Sequence, residues 1–227
     1  MNIWAILLLV MALSFIVQAV LNRKINKYGK VTLPMTGAEV AAKMLADNGL
    51  NDVSITQVNG KLTDHYNPAD KTVNLSREVY SGRNLAAAAV AAHECGHAVQ
   101  HATGYAPLQF RSALVPIASF ASKWVQWILL AGVIVIEFTP ALLYAGIVLF
   151  ATTTLFSLVT LPVEINASRR ATEWLDFNRI TSSYNSDGED TTAMARDALK
   201  WAAMTYVIAA IGSLATLFYY IAIARER

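Results

Sequence analysis

His93, Glu94 and His97 stand in the order His-Glu-x-x-His, inside the run Val90-Ala91-Ala92-His93-Glu94-Cys95-Gly96-His97-Ala98-Val99-Gln100. The residues around them, from Leu85 onward, are good helix formers. On a helix, positions four apart are stacked neighbours about 6 Å apart along the axis. Two imidazoles at that spacing converge on one point and suit a single Zn²⁺ ion. Glu94 is one residue round from His93. It is badly aimed for ligation and well placed to take a proton from a water held at the metal. Two imidazole ligands and a carboxylate base make a site for metal-assisted hydrolysis of an amide. The helix is otherwise uncharged from Val90 to Val99, as a buried helix requires, and burying a Glu and two His without partners would be costly.

A catalytic zinc keeps three protein ligands and one open position. The candidates for the third are His65, His101, Glu137, Glu164, Glu173 and Asp176. His101 lies one turn beyond His97, on the same face but roughly 6 Å further along the axis. It also misses the pattern in which a third His follows six residues after the second. It reads as a pocket residue or a packing residue. Glu137 falls on a turn across the membrane from the motif helix. Glu164 emerges at the end of an apolar run among small residues and is the best match, with Glu173 as the fallback. A second electrophile for the developing oxyanion could be Tyr66, Tyr80, His101, Asn166 or Arg170, and the sequence does not choose among them.

These groups need elements to position them. The 227 residues are 55% hydrophobic and only 15% charged, against about 25% charged in ordinary soluble domains. With a mean hydropathy of +0.40, that composition reads as a membrane protein with a modest polar domain. The net charge of +2 and the lack of a basic stripe argue against a nucleic-acid partner. The single cysteine, Cys95, excludes an intrachain disulfide. It falls about 200° round the helix from His93 and reads as a small buried hydrophobe.

Ile3 to Leu21 is long enough to cross a bilayer. Arg23, Lys24, Lys27 and Lys30 follow it rather than precede it, so the stretch reads as a retained helix and not a signal peptide, with its carboxyl end in the cytoplasm. Thr36-Gly37-Ala38-Glu39 is a capping box, so a helix starts near Gly37 and ends at Asn48-Gly49. Val53 to Val58 alternates as a strand. Asn59-Gly60 offers a hairpin turn to a return strand, Leu62 to Tyr66. Asn67 to Asp70 is a second turn, and Lys71 to Leu75 a third strand. That third strand is expected to be an exposed edge, where an extended peptide could add by main-chain hydrogen bonds. The motif helix runs from about Asn84 to Ala102, ended by Thr103-Gly104 and Pro107.

A helix beginning near Ala113, with Lys123, Trp124 and Trp127 as an interfacial anchor, forms a second span. Ala141 to Leu161 is a third span, which Pro162 ends. Tyr184 to Asp190 is a loop. Asp190 or Thr191 caps a helix that runs on into Trp201 to Ile223, the fourth span. The expected organisation is a transmembrane helix over 1–22 and a polar domain with the motif helix over 23–112. A transmembrane hairpin follows over 113–162, then a third-ligand segment over 163–200 and a last span with its tail over 201–227.

Ala92-His93-Glu94-Cys95-Gly96-His97, followed by Glu164-Ile165-Asn166-Ala167-Ser168, resembles the gluzincin pattern. With Tyr66-Asn67-Pro68, Val73-Asn74-Leu75-Ser76 and Leu161 to Ser168, nearly the whole chain resembles the neutral zinc metallopeptidases of bacterial membranes, the YugP-type family. It is more distantly similar to the heat-shock-type membrane gluzincins. The resemblance implies an α+β membrane protein: about four transmembrane helices plus a small zincin-like domain with a short sheet. It implies one Zn²⁺ held by His93, His97 and Glu164, and Glu94 as base. The partners would be a polypeptide substrate, including loops of membrane proteins, and the lipid bilayer of the bacterial inner membrane, with the catalytic domain cytoplasmic. The heat-shock-type relatives have an Asp four residues after the ligand Glu; this chain has Ser168, which can offer a hydrogen bond but no charge. Two other readings are an intramembrane protease and a non-catalytic membrane adaptor with a structural or vestigial zinc. Leu85 to Ala92 is too short to span, and Glu94 is not needed for zinc ligation alone.

Overall fold

The computed structural model describes residues 3–181 and 190–225. Their elements are α1 (Ile3–Tyr28), α2 (Gly37–Asp47), β1 (Ser54–Val58), β2 (His65–Asn67), β3 (Thr72–Ser76), α3 (Arg77–Tyr80), α4 (Leu85–Ala102), α5 (Ala106–Ile134), α6 (Ala141–Phe177) and α7 (Thr191–Arg225). The protein is mostly helical, with one three-stranded sheet. Four helices, α1, α5, α6 and α7, are long and apolar enough to cross a membrane. Of the loop expected over Tyr184 to Asp190, residues 184–189 lie outside the described residues.

The chain forms two units. One comprises Met1–Ile16, Gln109–Pro162 and Thr205–Arg227. Its helices meet through small residues: a Cβ on Gly132 would stand 2.7 Å from the Leu143 backbone, and one on Gly212 would stand 2.8 Å from Val10. Small residues are what let apolar helices approach closely. Trp4, Phe15, Trp124 and Trp127 face outward and are exposed.

The other unit comprises Val17–Leu108 and Val163–Met204 and holds all the candidate site residues except Glu137. Local chemistry fixes its elements. The capping box of α2 is formed: the Glu39 N–H donates to Thr36 Oγ1 at 3.1 Å, and the Thr36 N–H donates to Glu39 Oε2 at 2.7 Å. Asn84 caps α4, its side chain accepting from the Ala87 N–H. Asp190 caps α7, accepting from the Thr192 and Ala193 N–H groups. Residues on either side of α4's start are pinned as well, since the Leu85 N–H donates to Val31 O and the Leu33 N–H to Arg83 O. Val40, Ala41, Met44 and Leu45 of α2 are buried with the alanines of α4, and Val73 and Leu75 of β3 join the same core.

Two expectations about the sheet are corrected here. The sheet order is β1-β3-β2, with β1 parallel and β2 antiparallel to β3. Asn59-Gly60 therefore does not join a hairpin; the hairpin is β2–β3, turned by Asn67 to Asp70. The strand expected at the edge, β3, is the central one. The reason is burial: Val73 and Leu75 are both 0% exposed, and such a strand belongs where both neighbours cover it. The available edge beside α4 is β2.

Pro162 does not end its helix, which runs on to Phe177. Proline removes one helical hydrogen bond, but Val163, Ala167, Ala171 and Leu175, at four-residue spacing, are each 0% exposed. Burial of that stripe outweighs the break. Pro107 likewise opens α5 from its second position, where its missing N–H costs nothing, so that helix begins at Ala106.

Candidate metal centre

α4 and α6 bring the expected donors together. His93 Nε2 lies 3.2 Å from Glu164 Oε2, and His97 Nε2 lies 3.6 Å from the same oxygen. One ligand atom from each of the three residues falls within 4.8 Å of the others. Two donors about 2.1 Å from a tetrahedral zinc stand roughly 3.4 Å apart. The two carboxylate–imidazole distances bracket that spacing, and the imidazole–imidazole–carboxylate set is one that zinc accepts. The residues present therefore fit the metal.

Close helix contact makes the meeting possible. A Cβ on Gly96 would stand 2.7 Å from the carbonyl oxygen of Ala167. Only glycine lets α4 lie this near the α6 backbone. Gly96→Ala should force the helices apart and cost about 1–3 kcal/mol of stability, the usual range for overpacking. Because Ala167 is three residues from Glu164, zinc affinity should fall with it. Denaturant melts and zinc titration of the detergent-solubilised variant check both, and wild-type values in each would refute the constraint.

Each imidazole is oriented from behind. Ser168 Oγ is 3.1 Å from His93 Nδ1. His97 Nδ1 lies 3.0 Å from Gln100 Oε1. Burial alone would lower the His97 pKa, but the hydrogen bond and charge of Glu164 and the charge of Glu94 together raise it above the ordinary histidine value. Asn166 Oδ1 accepts from Gln100 Nε2 at 3.0 Å and from Arg170 Nε at 2.8 Å.

Glu94 is buried, and its Oε2 accepts the main-chain N–H of Tyr66 at 3.1 Å. The free side of β2 is therefore turned toward the carboxylate. Tyr66 Oη is hydrogen-bonded to His101 Nδ1 at 2.9 Å, and the two rings are 5.8 Å apart between centroids. Upstream, Asp64 accepts from both the N–H and Oγ of Ser76, fastening the entry of β2 to the end of β3.

Other candidates lie elsewhere. Glu173 pairs with Arg169, both exposed. Asp176 accepts from Thr192 Oγ1. His65 is exposed, with Nδ1 at 2.8 Å from Thr63 O. Cys95 points away from the donors, with Sγ 3.7 Å from Ala41 O, and burial pushes its thiol pKa up. Sequence reading missed Gln100 and the Tyr66 N–H. Gln100 left one signal: it is three residues past His97, hence on its face, and is the only uncharged polar side chain in Ala98–Gln100.

Four helices long and apolar enough to cross a membrane, and a group of donors that could hold a metal ion beside a carboxylate, define the class. Comparison with known proteins narrows it. Residues 3–225 match the profile of a family described as "Putative neutral zinc metallopeptidase". A curated relative, "Putative membrane protease YugP" of Bacillus subtilis (strain 168), is 39% identical over 215 residues, covering 94% of this chain and 92% of the relative. The chain belongs to the family so described. No solved structure matches it.

Proposed function

We propose that this protein is a membrane-anchored zinc endopeptidase, with His93, His97 and Glu164 holding the metal and Glu94 as general base. The observation that carries the reading is Glu94: a buried carboxylate, held by one main-chain hydrogen bond, adjoins three donors at zinc spacing. A structural zinc site has no use for it. Zinc bound there would polarise a scissile carbonyl and bring the pKa of water to about 7.

The side chains divide the remaining work. Glu94 accepts a proton from the attacking water and returns it to the leaving amine. The hydrogen bond from Tyr66 holds one of its oxygens, leaving the other for that exchange. Tyr66 Oη and His101, coupled to each other, are the best-placed pair to meet the oxyanion. The substrate lies extended beside the free side of β2, where the Tyr66 carbonyl can accept a main-chain N–H. The Tyr66 N–H on that side already serves Glu94, so a peptide aligned there is carried past the base. The basic groups at Arg23 to Lys30 and Arg169-Arg170 favour a site on the cytoplasmic side of the bacterial inner membrane, reached by soluble segments or by loops of membrane proteins.

Metal removal tests the reading. Purified protein should contain one zinc per chain and cleave an unfolded casein-like substrate. A strong chelator should abolish cleavage, and stoichiometric zinc should restore it. Zinc retained at one per chain with no cleavage of any polypeptide offered would leave a non-catalytic zinc adaptor instead.

A further inference from the structure

We propose that Gln100 is a positioning residue that locks His97 in the Nδ1–H tautomer and so keeps the Nε2 lone pair directed at the metal. The inference rests on His97 being a ligand and adds what holds it in its liganding form.

The assignment follows from two atoms whose polarity is not in question. Gln100 is 0% exposed, so each of its polar atoms must find a partner inside the protein. Its amide nitrogen faces the main-chain oxygen of Val163 at 2.8 Å. A carbonyl oxygen only accepts, so the NH₂ end of the amide must be the end at Val163. The second N–H goes to Asn166 Oδ1 at 3.0 Å. That atom is fixed as oxygen because Arg170 Nε, which only donates, approaches it at 2.8 Å. The other end of Gln100 is therefore Oε1, and it faces His97 Nδ1 at 3.0 Å. An amide oxygen only accepts, so Nδ1 must carry the proton. Turning the amide over would set oxygen against oxygen at both Val163 and Asn166 and lose both of those hydrogen bonds.

His93 is held differently. Its Nδ1 meets the hydroxyl of Ser168, which can donate or accept and so dictates no tautomer. The network in which Asn166 Oδ1 accepts from both Arg170 and Gln100 thus acts on one ligand of the pair. No carboxylate takes part in it, so His97 is oriented without the added negative charge that an acid would bring.

The four histidines make the proposal directly measurable. In zinc-free protein labelled with ¹⁵N-histidine, at a pH raised until the His97 imidazolium signal is gone, His97 should show the Nδ1–H pattern. An unconstrained imidazole favours Nε2–H. Finding Nε2–H at His97 in the wild type would overturn the proposal without any variant. Gln100→Leu should release the tautomer and weaken zinc binding about 10–100-fold, the range seen when a ligand's orienting partner is removed. Affinity is read by competition with a chromophoric chelator. Affinity in Gln100→Leu within about twofold of wild type, with His97 still Nδ1–H, would also refute the lock. Undiminished zinc binding in His97→Ala would instead refute the ligand assignment on which the proposal rests.

Discussion

Glu94→Gln should bind zinc as the wild type does and lose nearly all peptide hydrolysis. The substitution changes little in shape. Its amide oxygen can still accept the Tyr66 N–H that now meets Glu94 Oε2, so the side chain should stay in place. What disappears is the capacity to take a proton from water and return it to the departing amine. General acid–base catalysis is worth about 10²–10⁴-fold, and kcat should fall by that order with KM little changed. Zinc content and casein cleavage, measured on the same preparation, separate the two effects. Cleavage at the wild-type rate would mean that another group is the base.

Glu164→Ala attacks the metal instead. Zinc sites with a full donor set bind with roughly 10–16 kcal/mol, so a single donor carries about 3–5 kcal/mol. Affinity should therefore drop on the order of 10²–10⁴-fold. Activity should follow at low zinc and recover only in part at high zinc, because two imidazoles alone hold the ion loosely. Glu173→Ala is the matched control. That residue is exposed and paired with Arg169, and its loss should leave affinity unchanged. If the Glu164 variant held zinc as tightly as the wild type while the Glu173 variant did not, the third ligand would be Glu173 and the helix register would have to be reconsidered.

The parts legible in the sequence are those set by neighbours three or four residues apart. The stacking of His93 on His97, the Thr36–Glu39 box and the Asp190 cap all follow from helical spacing. Composition and run length sufficed for four apolar helices. Strand order was not legible, because Asn59-Gly60 and Asn67 to Asp70 both offer turns. Only the burial of Val73 and Leu75 decides which strand is central. Pro162 misled for a related reason. A local breaker was overruled by Val163, Ala167, Ala171 and Leu175, whose contacts are made with distant parts of the chain. Gln100 shows the limit most clearly. Its partners Val163 and Asn166 are 63 and 66 residues away, so nothing near it in the chain announces what it does.

Glu94 leans on a peptide group rather than on a side chain. Mutation exchanges side chains and leaves peptide groups in place, so drift at position 66 cannot remove that support unless the incoming residue is proline. The phenol at the same position has no such protection. Tyr66→Phe and Tyr66→Pro would thus draw apart two jobs that one codon now performs.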